Sequence, residues 1–483
     1  MEGEPRAYPA LPAIIQGGMG VGVSNWTLAR AVSSLGQLGV VSCTVVDTVF
    51  VRRLQDGDPG GHMRRAMAAF PIPGVAERVM QQFFRPEGRP PGTPYKQLPM
   101  YQHIVDKGRE QLAILAAFVE VHLAKEGHDG PVGVNLLTKV QLPNLALLYG
   151  AMLAGVDFVL MGAGIPREIP KVLDAFAEQR MVAVRLEVED RQADTPEMFS
   201  LDPRVHWEGT PPPLKRPKFL PIISSHSLAT MLVRKADGRV DGFVVEGPTA
   251  GGHNAPPRGE LKLNDRGEPV YGERDEADFS KIAELGLPFW IAGGTGTPEG
   301  LAQARALGAQ GIQVGTLFAY CDESGITSEL KRSVLAAVVE GKADVKTDAL
   351  ASPTGFPFKV VQWADDPATK VNRKRVCDLG YLRVAYAMPN GRVGYRCPSE
   401  PEAEFVAKGG AIEETVGRKC LCNALLSTIG QPQERKDGPS EPPLVTSGDE
   451  LVRLGRFLEG RSSYTAADAL AWLLSPVATT PAS

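Results

Sequence analysis

Eight apolar runs rich in β-branched residues recur over the first 320 residues, and a helical pattern follows most of them. The predicted strands cover residues 13–16, 38–42, 131–136, 157–162, 219–224, 242–247, 288–294 and 311–318. Such alternation of strand and helix is typical of a parallel sheet. Eight units favour an α/β fold with a closed (β/α)₈ barrel, the TIM barrel, over an open doubly wound sheet. A ninth run, 182–188, is expected to lie in an excursion before the fifth strand.

Two long connections interrupt this alternation. Residues 43–130 separate the second and third strands and contain a long helical pattern. Because this connection is much longer than usual, we expect a helical insertion or a lid at the barrel mouth. A proline-rich excursion covers residues 190–218. Near the N-terminus, Ser24 is expected to cap the helix that follows the first strand.

The pattern changes after residue 345. The segment "YLRVAYAMPNGRVGYRCP" predicts a β-hairpin whose turn is formed by Asn390 and Gly391. Further helical patterns follow it. We therefore predict two domains. Residues 1–345 form the barrel with its insertion at about 43–130, and residues 346–483 form a C-terminal α+β subdomain.

Composition excludes some function classes. The 483 residues include 52 basic and 56 acidic side chains, for a net charge of -4, with no run of Lys and Arg interleaved with aromatic residues. Nucleic acid is therefore not an expected partner. No stretch approaches the roughly 20 apolar residues of a membrane helix, and the N-terminus does not resemble a secretory signal. We expect a cytoplasmic protein without a membrane partner.

Glycine-rich turns follow most of the predicted strands, at the end of a barrel where active sites form. The glycines after strands seven and eight precede helices, and this arrangement presents backbone N–H groups to a phosphate. They predict a phosphorylated ligand. None of the clusters fits G-x-G-x-x-G, because Val23 and Glu299 occupy the third glycine positions. A Rossmann dinucleotide site is therefore disfavoured.

One histidine is a candidate catalytic residue. His253 follows Gly251 and Gly252 at the end of the sixth predicted strand, and imidazole is well suited to proton transfer near neutral pH. His226, near the fifth strand, is a weaker candidate. His62 also follows two glycines, but it follows no strand and is expected to begin a helix.

Several segments together resemble a known family. "AIIQGGMGVGVS", "VGVNLL", "MGAGIP", "EGPTAGGHNAPPRG" and "WIAGGTGTPEGLAQARALGAQGIQVGTLF" occur in order between residues 10 and 320. They are similar to motifs of the FMN-dependent barrel enzymes that include nitronate monooxygenase, once called 2-nitropropane dioxygenase, and the flavin-dependent enoyl-ACP reductases. The chain departs from the family pattern at Thr249, where Glu or Ser is usual, and in its insertion and C-terminal extension. These additions resemble the longer trans-acting enoyl reductases of polyunsaturated fatty-acid and polyketide synthases.

The resemblance implies FMN as cofactor, with its phosphate on the glycines that follow strands seven and eight and its ring near Met19 and Asn135. The expected cofactor-binding residues are Gly18, Met19, Gly20, Asn135, Gly162, Ser225, Ala250, Gly251, Gly252, Gly293, Gly294, Gly315 and Thr316. The resemblance also implies that His253 is the base that takes the α-proton of a nitroalkane. The flavin would then oxidise the nitronate, and O₂ would reoxidise the flavin. The alternative is an enoyl-thioester reductase that uses NAD(P)H and receives its substrate from an acyl-carrier partner.

The last four of the six cysteines are a candidate metal site. Cys377, Cys397, Cys420 and Cys422 would be enough thiolates for a tetrahedral zinc or an iron–sulfur cluster. Their spacing is unlike the usual paired C-x-x-C arrangement, which favours buried, reduced cysteines without a metal.

Overall fold

The fold is a parallel eight-stranded barrel surrounded by helices. A computed structural model describes residues 11–191, 196–371 and 373–477. The barrel strands are Ile14–Gln16, Gly39–Ser42, Val132–Leu137, Phe158–Gly162, Lys218–Ile223, Phe243–Glu246, Phe289–Ala292 and Gly311–Val314. All seven pairings between neighbours are parallel. A parallel bridge between Ile15 and Leu38 joins the first strand to the second and closes the barrel. The predicted (β/α)₈ architecture is confirmed.

The strands can enclose a packed interior because successive side chains alternate between the inside and the outside of the barrel. On the sixth strand, Val244 points into the barrel interior, whereas Phe243 and Val245 belong to the layer between the strands and the helices. The interior is filled by Ile15, Leu38, Val40, Phe158, Leu160, Leu220, Val244, Trp290 and Ala292. Trp290 is fully buried there, and its indole N–H donates to the carbonyl of Pro12 at 2.8 Å. The barrel is therefore a packed core, and only its mouth is open to a ligand.

The helices are Trp26–Ser34, Val46–Gln55, His62–Met67, Val75–Phe83, Lys107–Lys125, Asn144–Leu153, Ile169–Ala177, His226–Lys235, Phe279–Ala283, Pro298–Ala306, Thr316–Ala319, Ser328–Val339, Glu402–Ala407, Leu421–Thr428, Gly455–Leu458 and Ala466–Leu473. The described residues include no helix long and apolar enough to cross a membrane.

The expected cap at Ser24 is wrong by one residue. Asn25 caps the first helix, and its side chain accepts a hydrogen bond from the N–H of Leu28. The Ser24 hydroxyl instead donates to the carbonyl of Gly17 and accepts from the N–H of Met19. Ser24 therefore fixes the glycine turn after the first strand and is not available to the helix.

Helices occupy residues 43–130, as predicted. The last of them, Lys107–Lys125, packs on the neighbouring helices Trp26–Ser34 and Asn144–Leu153. It therefore takes the place of the outer helix that normally joins the second and third strands of such a barrel. The long connection is thus partly a member of the barrel's own helical layer.

Two antiparallel pairs follow the last barrel helix, which agrees with the predicted α+β character. Asp344–Asp348 pairs with Phe358–Gln362, and Val384–Ala387 pairs with Val393–Arg396 around the predicted Asn-Gly turn. The second pair is extended by a parallel pairing with Val188–Glu189 from the excursion before the fifth strand. The ninth run forms a separate antiparallel pair, Val182–Leu186 with Glu197–Leu201, outside the barrel. The division into domains at 345/346 stays a prediction.

Cys377, Cys397, Cys420 and Cys422 line one small cavity of about 10 Å³. All six cysteines are free thiols. Within residues 11–191, 196–371 and 373–477, no three His, Cys, Asp or Glu side chains are grouped so that they could hold a metal ion. Burial raises the pKa of Cys420 to about 11, and it also raises that of Cys422. Both thiols are protonated at neutral pH and are poor nucleophiles.

Gly150→Ala should destabilise the barrel strongly. A Cβ at Gly150 would lie 2.1 Å from the carbonyl oxygen of Ile114, so the two helices would have to separate. We expect a loss of about 1–3 kcal/mol in the free energy of unfolding, measured by urea denaturation. Gly272→Ala is the control, because a Cβ there would have no atom within 4 Å and the residue's φ is -130°. Equal stabilities of the two variants would contradict this packing.

The six thiols should react with an aromatic disulfide reagent only when the protein unfolds. In the native protein, burial raises the pKa of Cys43, Cys321, Cys420 and Cys422, and a hydrogen bond with Cys397 together with burial raises that of Cys377. Cys397 is itself buried and hard for a reagent to reach. In denaturant without reductant, absorbance should report all six thiols of the sequence. A smaller number would reveal a disulfide or another modification, and rapid labelling of the native protein would contradict the burial of these side chains.

Candidate active site

The carboxyl ends of the barrel strands surround a cavity of about 220 Å³. Its barrel wall includes Gly17, Gly18, Met19, Gly20, Asn135, Gly162, Glu246, Thr249, Ala250, Gly251, Gly252, His253, Gly293, Gln313, Gly315 and Thr316. Its outer wall comes from the C-terminal extension and includes Phe358, Tyr381, Leu382, Leu421, Cys422, Thr446, Ser447, Gly448 and Glu450. The extension therefore lies over the mouth of the barrel and forms part of the wall of this space. We call this space the central cavity.

The structure brings most of the predicted site residues together around the central cavity. The expected cofactor-binding residues that line it are Gly18, Met19, Gly20, Asn135, Gly162, Ala250, Gly251, Gly252, Gly293, Gly315 and Thr316. His253 lines it as well. Ser225 and Gly294 do not. The Ser225 hydroxyl caps a helix by accepting from the N–H of Leu228, and Gly294 is exposed at the outside of its turn.

His253 is held by the C-terminal extension. Its Nε2 lies 2.7 Å from the hydroxyl oxygen of Ser352, a fully buried residue whose hydroxyl lies 2.8 Å from that of Thr354. The backbone is fixed by an antiparallel bridge between His253 and Phe358, whose ring stands edge-on to the imidazole with centroids 4.7 Å apart. The imidazole thus has a fixed orientation although it lies in a loop.

Burial lowers the pKa of His253 to about 4, and no carboxylate of the described residues offsets that effect by stabilising the charged ring. The imidazole is therefore neutral at pH 7 and able to accept a proton. The nearby carboxyl of Glu246, the last residue of the sixth strand, shows the opposite behaviour. Burial raises its pKa to about 8, so this carboxyl is mostly protonated at pH 7.

Glu246 and His253 also face a second cavity. This adjacent cavity of about 200 Å³ shares Ala163, Ile222, Glu246 and His253 with the central cavity. The shared residues form the wall between the two spaces. Sequence reasoning missed Glu246, because a single acidic residue at a strand end has no distinguishing local pattern.

A third cavity of about 560 Å³ lies on the side of the C-terminal extension, and Tyr381 and Leu382 line both it and the central cavity. Tyr381 is held by its hydroxyl, which donates to Asp47 Oδ1 at 2.6 Å. Asp47 is completely buried and also accepts from Tyr101 and from Arg109. The Arg109 charge and these hydrogen bonds hold the pKa of Asp47 below its usual value, against the effect of burial. This buried network fixes the wall residue Tyr381.

The segment 446–450 packs against the glycine turns where the sequence predicts a phosphate. Its Thr446 hydroxyl accepts from the N–H of Gly252, and its Gly448 N–H donates to the Thr316 hydroxyl at 2.9 Å. A Cβ at Gly251 would lie 2.8 Å from the backbone nitrogen of Gly448. Glycine at 251 is therefore required by this close approach of two chain segments.

Glu450 adds a carboxyl group to this region, and burial raises its pKa above the usual value. Its Oε1 accepts from the N–H of Gly296 at 2.6 Å, just before the helix Pro298–Ala306. Such a helix start favours an anion or another acceptor, and here the acceptor comes from the chain itself. The Gly296 N–H is therefore already bonded, and the places for a phosphate are the turns at Gly293 and at Gly315.

Other residues of the central cavity fit the needs of a flavin mononucleotide. At Gly293, where φ is +89°, a Cβ would lie 2.9 Å from the nitrogen of Ala250, and at Gly18 it would lie 2.1 Å from the Cβ of Asn135. Glycine at these two positions is required by the close packing of the turns on Ala250 and Asn135, and both turns line the central cavity. The side-chain oxygen of Gln313 is buried without a hydrogen-bond partner, although Gln313 lines the central cavity. An unpaired buried acceptor in a cavity indicates a missing donor, and a flavin ring carries N–H groups.

Residues 213–348 match the family model described as nitronate monooxygenase. A probable nitronate monooxygenase from Staphylococcus haemolyticus is 35% identical over 97 residues, which is 20% of this chain and 26% of that protein. One from Bacillus subtilis is 34% identical over 128 residues, which is 26% of this chain and 34% of that protein. The matched regions thus span about a quarter to a third of these relatives.

Two solved structures are similar over most of this chain. FabK from Thermotoga maritima has 18% identity and a TM-score of 0.45, covering 96% of this chain and 91% of its own. A nitroalkane oxidase from Streptomyces ansochromogenes has 14% identity and a TM-score of 0.44, covering 96% and 94%. The family match and the two curated relatives thus show that part of this chain is similar to nitronate monooxygenases.

Proposed function

We propose that this chain is an FMN-dependent oxidoreductase that oxidises alkyl nitronates with O₂ and uses His253 as its base. One observation carries the proposal: a neutral imidazole, fixed by Ser352, lines the central cavity beside the glycine turns that suit FMN. The family relationship supports the same chemistry. Activity and substrate are proposals, because only part of each curated relative is matched.

The cofactor would be held by backbone of the turns at Gly18, Gly293 and Gly315, with Asn135 and Gln313 available to hydrogen-bond its ring. When bound, FMN supplies the acceptor for the electrons of the nitronate and returns them to O₂. The protein supplies the base and a cavity whose outer wall is formed by the C-terminal extension. His253 accepts the α-proton of a neutral nitroalkane, and Ser352 keeps the imidazole oriented.

A second candidate function is reduction of an enoyl thioester with NAD(P)H. The observation that favours it is the third cavity, which adds about 560 Å³ beyond Tyr381 and Leu382. A small nitronate has no need of that space, whereas a chain delivered by an acyl-carrier partner would use it. The absence of a Rossmann motif does not decide between the two functions, because NAD(P)H can bind over a flavin ring in barrel enzymes.

FMN should bind more tightly than riboflavin. The phosphate of FMN would gain charge-assisted hydrogen bonds at the turns of Gly293 and Gly315, which riboflavin lacks. We expect the dissociation constant of FMN to be at least about tenfold lower, measured by quenching of flavin fluorescence. Equal affinities for the two flavins would contradict the phosphate site, and failure to bind either would contradict the flavin proposal.

His253→Asn should separate proton removal from oxidation. With nitroethane, the variant should lose about 10²- to 10⁴-fold in kcat/KM, because no base is left to remove the α-proton. With preformed ethylnitronate, which is already deprotonated, the loss should be much smaller. Oxygen uptake measures both reactions. His226→Asn is the control, because His226 lines neither the central nor the adjacent cavity. Equal losses with both substrates would remove His253 from proton transfer.

A further inference from the structure

Glu246 lies in the wall between two cavities. It ends the sixth barrel strand, where its register partner on the seventh strand is Ala292. Its side chain lines both the central cavity and the adjacent cavity, as does that of His253. A substrate that contacts His253 in either cavity therefore shares that cavity with the Glu246 carboxyl.

The Glu246 carboxyl has no hydrogen bond or ion pair with any residue that the structure describes. The titratable and charged groups facing the central cavity are His253, Tyr381, Cys422 and Glu450, and those facing the adjacent cavity are His253, Arg258, Tyr271 and Asp275. Glu450 is bonded to Gly296, and Asp275 accepts from backbone N–H groups. None of these groups satisfies Glu246. A partly buried carboxyl without a partner, next to a candidate base, is available to a ligand.

We propose that Glu246 is a catalytic hydrogen-bond donor, whose carboxyl O–H binds the nitro oxygen on which negative charge develops while His253 removes the α-proton. The inference rests on the proposed function and extends it to the nitro group of the substrate. The C–H bond breaks and its proton moves to the imidazole. The electron pair forms the C=N bond of the nitronate, and the charge rests on the nitro oxygens. Glu246 keeps its own proton throughout, so no oxidant is needed in this step.

The protonation states of the two groups at pH 7 suit this division of roles. Burial raises the pKa of Glu246 to about 8 and lowers that of His253 to about 4, so the two pKa values move in opposite directions. At pH 7 the carboxyl retains a proton to donate and the imidazole has room to accept one. Neutral carboxyls kept in apolar sites stabilise developing anions in this way, and one such donor is typically worth about 10²- to 10³-fold in rate. Above pH 8 the ionised carboxyl would instead repel the anion.

The proposal predicts pH-dependent binding of a nitronate mimic. Acetate has the planar shape and charge of the nitronate of nitromethane but does not react. Its dissociation constant for the FMN-loaded protein is measured from the flavin absorbance between pH 6 and pH 10. In the wild-type protein, the constant should rise about tenfold per pH unit above pH 8, because binding requires protonated Glu246. In Glu246→Gln, whose amide is a donor at every pH, it should stay constant. A wild-type constant that does not change with pH would overturn the proposal.

Infrared difference spectroscopy gives a test that does not depend on turnover or on acetate affinity. The wild-type spectrum at pH 7 minus that of Glu246→Gln should contain the C=O band of a protonated carboxyl, and the band should disappear at pH 10. Absence of the band at pH 7 would overturn the proposal. Glu441→Gln is a matched control, because burial also raises the pKa of Glu441 while this residue lies outside both cavities. Its acetate binding should keep the wild-type pH dependence.

The kinetic readout distinguishes failure of this inference from failure of the proposed function. With nitroethane, Glu246→Ala should lose about 10²- to 10³-fold in kcat/KM, and Glu246→Gln should lose less and should not slow down above pH 8. If the wild type oxidises neither nitroethane nor preformed ethylnitronate, the proposed function fails, and the infrared band still shows whether Glu246 is protonated. If wild type and Glu246→Ala are equally active, the proposed function stands and this inference fails.

Discussion

The hydrogen bond between Nε2 of His253 and the hydroxyl of Ser352 connects the barrel to its C-terminal extension at the point where chemistry is expected. Around it, the N–H of Lys359 donates to the carbonyl of Gly252, and the N–H of Asn254 donates to the carbonyl of Pro357. These backbone bonds place the loop after the sixth strand as if it were part of a sheet. A histidine in a glycine-rich loop would otherwise have several orientations, and the extension leaves it with one.

The C-terminal extension also determines the electrostatics of the site. Because the extension covers the barrel mouth, His253 and Glu246 are shielded from water and their pKa values move in opposite directions. The segment 446–450 meanwhile places Glu450 at a helix start that could otherwise bind an anion. The extension therefore shapes the cavity, orients the base and limits where a phosphate can lie. An isolated barrel would offer the glycine turns without this polar environment.

The fold could be predicted from the sequence because its signals are local. Each barrel strand is a short apolar run, most of these runs are followed by glycine, and the hairpin turn carries the Asn-Gly pair that its backbone requires. The residue type of Ser24 suits a helix cap, but the turn at Gly17 competes for the same hydroxyl. Asn25 caps the helix instead.

The surroundings of the site could be predicted only in part. His253 and the glycine turns follow strands, so barrel geometry brings them together. Ser352 is 99 residues from its partner in the sequence, and nothing in the loop that contains it indicates a contact with a histidine. Glu246, Gln313 and Glu450 gain their significance from burial and missing or unusual partners, which are properties of the packed structure. Such properties have no local sequence pattern.

The most direct test of nitronate oxidation in the central cavity is reduction of the bound flavin in the absence of oxygen. The visible absorbance of the purified holoprotein is followed after addition of propionate 3-nitronate in one cuvette and of NADPH or NADH in another. We expect rapid bleaching by the nitronate and none by the nicotinamides. Bleaching by a nicotinamide alone would contradict the proposed oxidation and would assign the central cavity to a reductase.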